Sequence, residues 1–122
     1  MVRFDHVAIS SSNIQETIKF YCEYLEMGRK QEWAGQIGDK IGYEFFSGGE
    51  GGLILEVNWS EGGETKTSLA YPDHICFVVD DINGMLQRAE VMGYRYGEPD
   101  CNGNVVVFDP DGNAIELACV PE

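Results

Sequence analysis

Hydrophobic and polar positions follow one another in an order that predicts a strand and then a helix at the start of the chain. The alternation around Val7 and Ile9 indicates a strand over about residues 3–10. Apolar residues then recur every three to four positions, which predicts a helix over about residues 13–26. The polar segment before it ends in Asn13, a side chain that commonly caps helix N-termini. We expect this helix to end at Gly28.

Three short strands follow the helix, over about residues 30–34, 41–46 and 52–58. Glycine-rich segments separate them, which is typical of turns. The first part of the chain therefore reads as a βαβββ module over residues 3–58. The next segment, about residues 60–71, contains few apolar positions and is predicted to be a linker.

The second part of the chain repeats the order of the first. A strand over 73–79 precedes a helix over about 81–92, for which Gly93 is the expected end. The remaining strands are predicted near residues 94–98, 104–109 and 113–119. The sequence Asp-Pro-Asp-Gly before the last strand predicts a turn, because proline presets φ and glycine permits a positive φ. This second module covers residues 72–119.

Individual residues also correspond between the two modules. An offset of 68 places Asp5-His6 on Asp73-His74, and an offset of 60 places Glu56 on Glu116. The change in offset requires only shorter loops in the second copy. We therefore predict one domain over residues 1–122, made of two tandem copies of one module.

The alternation of side chains along the strands separates the repeated His and Glu from the core. Residues two apart share a face, so Glu56 lies opposite Leu55 and Val57, and Glu116 lies opposite its own bulky neighbours. His6 and His74 are likewise placed on the less apolar faces of their strands. The simplest arrangement is an α+β fold with a curved, barrel-like mixed sheet, helices on its convex side and four polar side chains on its concave side.

Two imidazoles and two carboxylates form a mixed set of nitrogen and oxygen donors that suits a divalent transition metal. A single histidine on a strand is more often an ordinary core or surface residue than a ligand. The recurrence of the same pair in both modules favours the metal interpretation. The candidate metal ligands are His6, Glu56, His74 and Glu116.

Composition and charge limit the classes of molecule that this protein can bind. The 122 residues include 21 acidic and 8 basic side chains, and the formal net charge of −13 disfavours binding to nucleic acid or to anionic membrane surfaces. No segment resembles a membrane span or a signal peptide, so we expect a cytoplasmic protein. The four cysteines are scattered without a paired metal-binding motif, and we expect them to be reduced thiols.

Several segments resemble the vicinal oxygen chelate superfamily, and within it glyoxalase I (lactoylglutathione lyase). They are FDHVAI, IKFYCEYLEMG, LILEVNW, DHICFVVDDI and FDPDGNAIEL, which together extend over nearly the whole chain. The resemblance implies the glyoxalase fold with a metal cleft, and it implies His6, Glu56, His74 and Glu116 as the ligands. It also implies Glu56 and Glu116 as the candidate catalytic carboxylates.

The activity implied by this resemblance is isomerisation of the hemithioacetal of methylglyoxal and a thiol such as glutathione to the S-lactoyl thioester. A carboxylate would move a proton from C1 to C2 through an enediolate. Nickel is the implied metal, with cobalt or zinc as alternatives, and a homodimer is implied. Short bacterial members have an arginine where this chain has Ser10, so the identity of the thiol stays open.

Two other functions stay open on the sequence. The first is a different metal-dependent enzyme of the same superfamily, such as an epimerase or a dioxygenase. The second is a metal-free protein of the same fold that binds a small molecule. The sequence does not indicate which glutamate would act as the base, nor whether a site would be completed within one chain or between two subunits.

Overall fold

The structure is a computed structural model of the whole chain, and it describes residues 1–2, 4–34, 41–46, 54–59 and 71–119. For residues 29–34, 41–46, 54 and 59 the description is limited to the backbone. The predicted linker, apart from Tyr71, and the glycine-rich turns between the strands of the first module lie outside the described residues. The chain divides into two compact units, Met1–Lys66 and Thr67–Glu122.

The first unit contains one four-stranded mixed sheet. Its strands are β1 His6–Ser11, β2 Gly28–Ala34, β3 Ile41–Phe46 and β4 Ile54–Trp59, in the order β1-β4-β3-β2. Strand β1 runs parallel to β4, whereas β3 is antiparallel to both of its neighbours. The strand positions expected from the alternation pattern are therefore confirmed to within a few residues.

The helix of the first unit begins as an α-helix and then widens. Helix α1 spans Ile14–Ile18 and continues as a π-helical segment over Lys19–Tyr24. The Oδ1 atom of Asn13 accepts a hydrogen bond from the Glu16 amide at 3.2 Å, which confirms the predicted N-cap.

The expected end of this helix at Gly28 is wrong, because Gly28 is already the first residue of β2. The helix already ends at Tyr24, and Glu26 lies two residues beyond it. There Glu26 adopts a left-handed φ of 58°, which is the conformation that usually favours glycine.

The core of the first unit includes residues of both the sheet and this helix. Leu55 and Val57 are fully buried, as the alternation predicts. The helix buries the aromatic rings of Phe20, Tyr21 and Tyr24, and complete burial of a side chain of this size contributes about 1.5–3 kcal/mol. The ring of Phe20 packs edge-on against Tyr21 at a centroid distance of 4.9 Å. This packing leaves the opposite face of β4 free to carry polar groups.

The second unit repeats the topology of the first with one shortened strand. Its elements are β5 Ile75–Val79, α2 Ile82–Met92, β6 Val105–Phe108 and β7 Ala114–Cys119, and the strand order is β5-β7-β6. Again the first strand is parallel to the last, and the last is antiparallel to the strand before it.

The strand expected near residues 94–98 is reduced to a single bridge between Tyr96 and Val107. The bridge adds to the outer edge of β6, at the position that β2 occupies in the first unit. Pairing cannot extend far because Pro99 lacks an amide hydrogen and a turn begins at Asp100, whose amide donates to Asn104 at 2.9 Å.

Helix α2 has the predicted ends. The Oδ1 atom of Asp81 accepts from the Gly84 amide at 3.0 Å, and Gly93 closes the helix with a left-handed φ of 82°. In the described part of the chain, no helix combines the length and the apolar composition needed to cross a bilayer.

Candidate metal centre

His6 and Glu56 meet on the polar face of the first sheet. The parallel pairing of β1 with β4 sets Ala8 beside Glu56, so His6 lies two residues away on the same face. The Nε2 atom of His6 is 2.9 Å from an oxygen of Glu56, and their side chains are 42% and 17% exposed. The first of the two predicted His–Glu pairs is thus formed and open to solvent.

The other ring nitrogen of His6 faces a second carboxylate. Its Nδ1 lies 2.7 Å from Asp5, and an ionised carboxylate is an acceptor without a donor hydrogen. A neutral imidazole that donates from Nδ1 to Asp5 presents a lone pair at Nε2. This lone pair faces another acceptor, the Glu56 carboxylate, so a proton or a metal ion is needed to make the contact favourable. Carboxylate, histidine and metal in this order are a common arrangement at metal sites.

His74 and Glu116 form the equivalent pair in the second unit. His74 immediately precedes β5, and its Nε2 lies 3.3 Å from an oxygen of Glu116. Their side chains are 35% and 21% exposed. The Nδ1 atom of His74 lies 2.7 Å from the carbonyl oxygen of Pro72, an acceptor that assigns the hydrogen to Nδ1. The lone pair of Nε2 again faces a carboxylate, and the donor chemistry of both pairs fits a divalent cation.

Glu116 makes further contacts that Glu56 lacks among the described residues. Its Oε1 atom accepts from the thiol of Cys76 at 3.6 Å and from the side-chain amide of Asn104 at 3.4 Å. Burial, and then the charge and hydrogen bond of Glu116, raise the pKa of the Cys76 thiol. The thiol therefore stays protonated at neutral pH and is able to donate.

Two turns of the same design flank β6 and position the residues around Glu116. In the first turn, the carboxylate of Asp100 accepts from the amides of Asn102 and Asn104 at 2.8 and 3.0 Å. The turn also requires Gly103, which has a φ of 81°. This turn places Asn104 immediately before β6, and the Asn104 amide is hydrogen bonded to Asp100.

The second turn joins β6 to β7. The buried carboxylate of Asp109 accepts from the amides of Asp111 and Asn113 and from the side chain of Asn113, at 2.8–2.9 Å. Gly112 supplies the left-handed φ of 85°. This confirms the predicted turn, which sets the register of β7 and therefore the position of Glu116.

Sequence reasoning missed the partners that orient the ligands. The role of Asp5 could have been predicted, because Asp5 is next to His6 in the chain. Nothing in the sequence indicated the carbonyl of Pro72 or the side-chain amide of Asn104. The first contact depends on the path of the chain, and the second depends on strand pairing. Cys76 is two residues after His74 in the chain, but the sequence did not indicate a role for it.

The structure thus brings together His6 with Glu56, and His74 with Glu116. Within the described ranges, no group of three or more His, Cys, Asp or Glu side chains forms a metal site. The assembly of all four residues into one centre stays a prediction.

Comparison with known proteins identifies the family. Residues 3–117 match the family described as Glyoxalase/Bleomycin resistance protein/Dioxygenase superfamily. The chain belongs to this superfamily. Its α+β fold of mixed sheets is accordingly the glyoxalase, or vicinal oxygen chelate, fold that the sequence motifs predict.

Among curated proteins, the chain is 31% identical over 108 residues to a lactoylglutathione lyase of Pseudomonas aeruginosa. The match covers 81% of this chain and 60% of the relative, so the chain spans about 60% of that protein's length.

Two solved structures illustrate the range of functions on this fold. The glyoxalase I of Leishmania major, described as trypanothione-dependent, superposes with a TM-score of 0.82 at 24% identity, covering 98% of this chain and 87% of that one. A mutant of the fosfomycin resistance protein FosX of Listeria monocytogenes, in complex with Mn(II) and a dihydroxypropylphosphonic acid, has a TM-score of 0.79 at 15% identity. That match covers 97% of this chain and 92% of FosX. At these identities both structures establish the fold alone.

Proposed function

We propose that this protein is a metal-dependent isomerase of the glyoxalase I type. Its substrate would be the hemithioacetal of methylglyoxal and a thiol such as glutathione, and its product the S-lactoyl thioester. The observation that carries the proposal is the repeated His–Glu pair, in which Nδ1 of each histidine is already engaged. Each pair therefore offers one imidazole nitrogen and one carboxylate to a cation.

The proposed ligands of one metal ion are His6, Glu56, His74 and Glu116. Two nitrogen and two oxygen donors suit Ni²⁺, which we propose as the metal, and also Co²⁺ or Zn²⁺. Enzymes of this superfamily typically use divalent metals, and FosX was crystallised with Mn(II). When bound, the metal would stabilise the negative charge that develops on two neighbouring substrate oxygens as the C1 proton leaves.

Glu56 and Glu116 are the proposed proton carriers. A carboxylate oxygen of one of them would accept the proton from C1 and return it to C2, so that one residue serves first as base and then as acid. Each carboxylate is partly exposed, so a substrate can reach it. The histidines cannot fill this role while Nδ1 is bonded to Asp5 or Pro72 and Nε2 binds the metal.

The remaining assignments follow from this activity. We propose a small-molecule substrate, a homodimer and a cytoplasmic location. The net charge of −13 supports the exclusion of nucleic acid as a partner. The lactoylglutathione lyase of Pseudomonas aeruginosa supports the choice of reaction.

A different metal-dependent reaction is the second candidate, such as that of an epimerase or dioxygenase of the superfamily. The similarity to FosX, which shares the fold, motivates it. A metal-free small-molecule binding protein is the third candidate, and the presence of the same His–Glu pair in both units argues against it.

The deciding experiment is metal removal followed by reconstitution with Ni²⁺, Co²⁺ or Zn²⁺ and assay with methylglyoxal plus glutathione. We expect one metal ion per proposed four-ligand site and formation of S-lactoylglutathione. A matched control is the double variant His6→Ala/His74→Ala, which should lose both metal and activity. Stoichiometric metal without turnover would favour another reaction, and a wild-type protein without affinity for any of the three metals would refute the proposal.

A further inference from the structure

The two His–Glu pairs differ in how their glutamates are held. Oε1 of Glu116 receives two side-chain hydrogen bonds, from Cys76 and Asn104, while the other oxygen faces His74. By strand register, the counterparts of Cys76 and Asn104 in the first unit are Ala8 and Gly42. Neither alanine nor glycine has a side chain that can donate a hydrogen bond.

We propose that Asn104 and Cys76 are positioning residues that anchor Oε1 of Glu116 and so present its other oxygen to the metal. The proposal rests on the metal function proposed above, and it assigns unequal roles to two glutamates that the repeat makes look equivalent. Glu116 is a preorganised ligand, because rotation about its terminal bond would break both hydrogen bonds.

The anchoring group is itself built into the fold. The Asn104 amide hydrogen bonds to Asp100, and its carbonyl accepts from the Asp100 amide at 2.9 Å. The side chain is thus the only part of Asn104 left to bind Glu116. Cys76 is paired in register with Glu116 on the neighbouring parallel strand. Both donor side chains therefore belong to residues whose backbone is already held in place.

Hydrogen bonds to a ligand residue usually matter for metal affinity, and their removal lowers that affinity about 10- to 100-fold. Substitution of Asn104 by alanine removes one donor and preserves the backbone bonds of the turn. The substitution Cys76→Ala removes the second donor, the thiol. Cys76→Ser retains a hydroxyl donor and should therefore bind metal like the wild type. Asn102→Ala is the matched control, because Asn102 belongs to the same turn and its side chain is exposed.

The first measurement uses cobalt(II) titrations followed by visible absorption, which reports the geometry of the bound ion. We expect the Asn104→Ala/Cys76→Ala variant to bind cobalt about 10- to 100-fold more weakly, with an altered spectrum. Cys76→Ser and Asn102→Ala should match the wild type. A double variant with wild-type affinity and spectrum would overturn the proposal.

The second measurement needs no metal and separates this proposal from the proposed function. The side-chain amide signal of Asn104 in nitrogen-15 NMR spectra should move in Glu116→Ala and stay unchanged in Glu56→Ala. An unchanged signal in Glu116→Ala would refute the anchoring whatever the metal affinity. If that signal moves but the wild type takes up no cobalt, the anchoring hydrogen bond stands, whereas its role at a metal and the proposed function both fail.

Discussion

Nδ1 of His74 donates to the carbonyl oxygen of Pro72 across 2.7 Å, so this ring nitrogen is held by a main-chain group. In the first unit, the equivalent ring nitrogen of His6 is held by the carboxylate of Asp5 at the same distance. The repeat has therefore kept the orientation of its histidines while changing the group that provides it.

Asp5 and Asp73 correspond in sequence, but only Asp5 holds the ring nitrogen of its histidine. We expect Asp5→Ala to lower the affinity for Ni²⁺ or Co²⁺ about 10- to 100-fold, because His6 loses the acceptor that orients it. Asp73→Ala is the matched control and should bind metal like the wild type. Isothermal titration calorimetry measures the metal dissociation constant of each variant. Equal losses in the two variants would contradict this account of the histidines.

The proposed proton transfer depends on ionisable carboxylates at positions 56 and 116. Glu56→Gln and Glu116→Gln should each lower kcat of the isomerase by at least about 100-fold, because one substitution removes the base that accepts the C1 proton and the other replaces a charged metal ligand by a neutral amide. Glu98→Gln, at an exposed carboxylate outside both pairs, serves as the control. Metal content is measured in parallel to separate loss of the ion from loss of the base. Near-normal turnover in both glutamine variants would exclude the carboxylates as proton carriers.

The two similar turns beside β6 should contribute unequally to stability. Asp109 is 4% exposed and its carboxylate accepts three hydrogen bonds, one of them from the buried Asn113 side chain. Asp109→Ala leaves these donors unpaired, and we expect a loss of about 2–3 kcal/mol in the free energy of unfolding. Asp100 is exposed, so water can replace its carboxylate, and Asp100→Ala should cost about 1 kcal/mol or less. Urea denaturation gives both values, and a larger loss for Asp100→Ala would be inconsistent with this difference in burial.

Gly93 allows a direct measurement of the cost of a left-handed residue. A Cβ at this position would meet no atom within 4 Å, but φ is 82°. Gly93→Ala should therefore destabilise the protein through the backbone alone, by about 1–2 kcal/mol. Gly97 also has open space around it and no positive φ, so Gly97→Ala is the matched control and should leave the melting temperature nearly unchanged. Equal shifts for the two variants would show that φ does not decide the effect.

Local patterns were sufficient to predict most of the elements. Alternation placed Leu55 and Val57 in the core and Glu56 on the other face, as the burial of these residues confirms. Asn13 located the start of the first helix, and Gly93 located the end of the second. These predictions succeed because strand faces, caps and tight turns depend on residues close together in the chain.

Other features could not be predicted because competing local solutions were available. Gly28 was the expected end of the first helix, yet the chain turns at Glu26 and uses Gly28 to begin β2. The expected strand near 94–98 shortens to one bridge at Tyr96, since the following proline and turn limit pairing with β6. The first outcome goes with the pairing of Gly28 and Phe46 in the sheet, and the second with Pro99 and the turn after it.

The superfamily and the residue types of the proposed site could be recognised from the sequence, and the doubled module predicted from it, because a repeated His and Glu remain visible without any structure. Tertiary structure alone decided which atoms orient them. The contacts of His74 with Pro72 and of Glu116 with Asn104 join groups through the path of a turn and the register of neighbouring strands. The contact of Glu116 exists only after the strands have paired, and that of His74 depends on the path of the chain at Pro72.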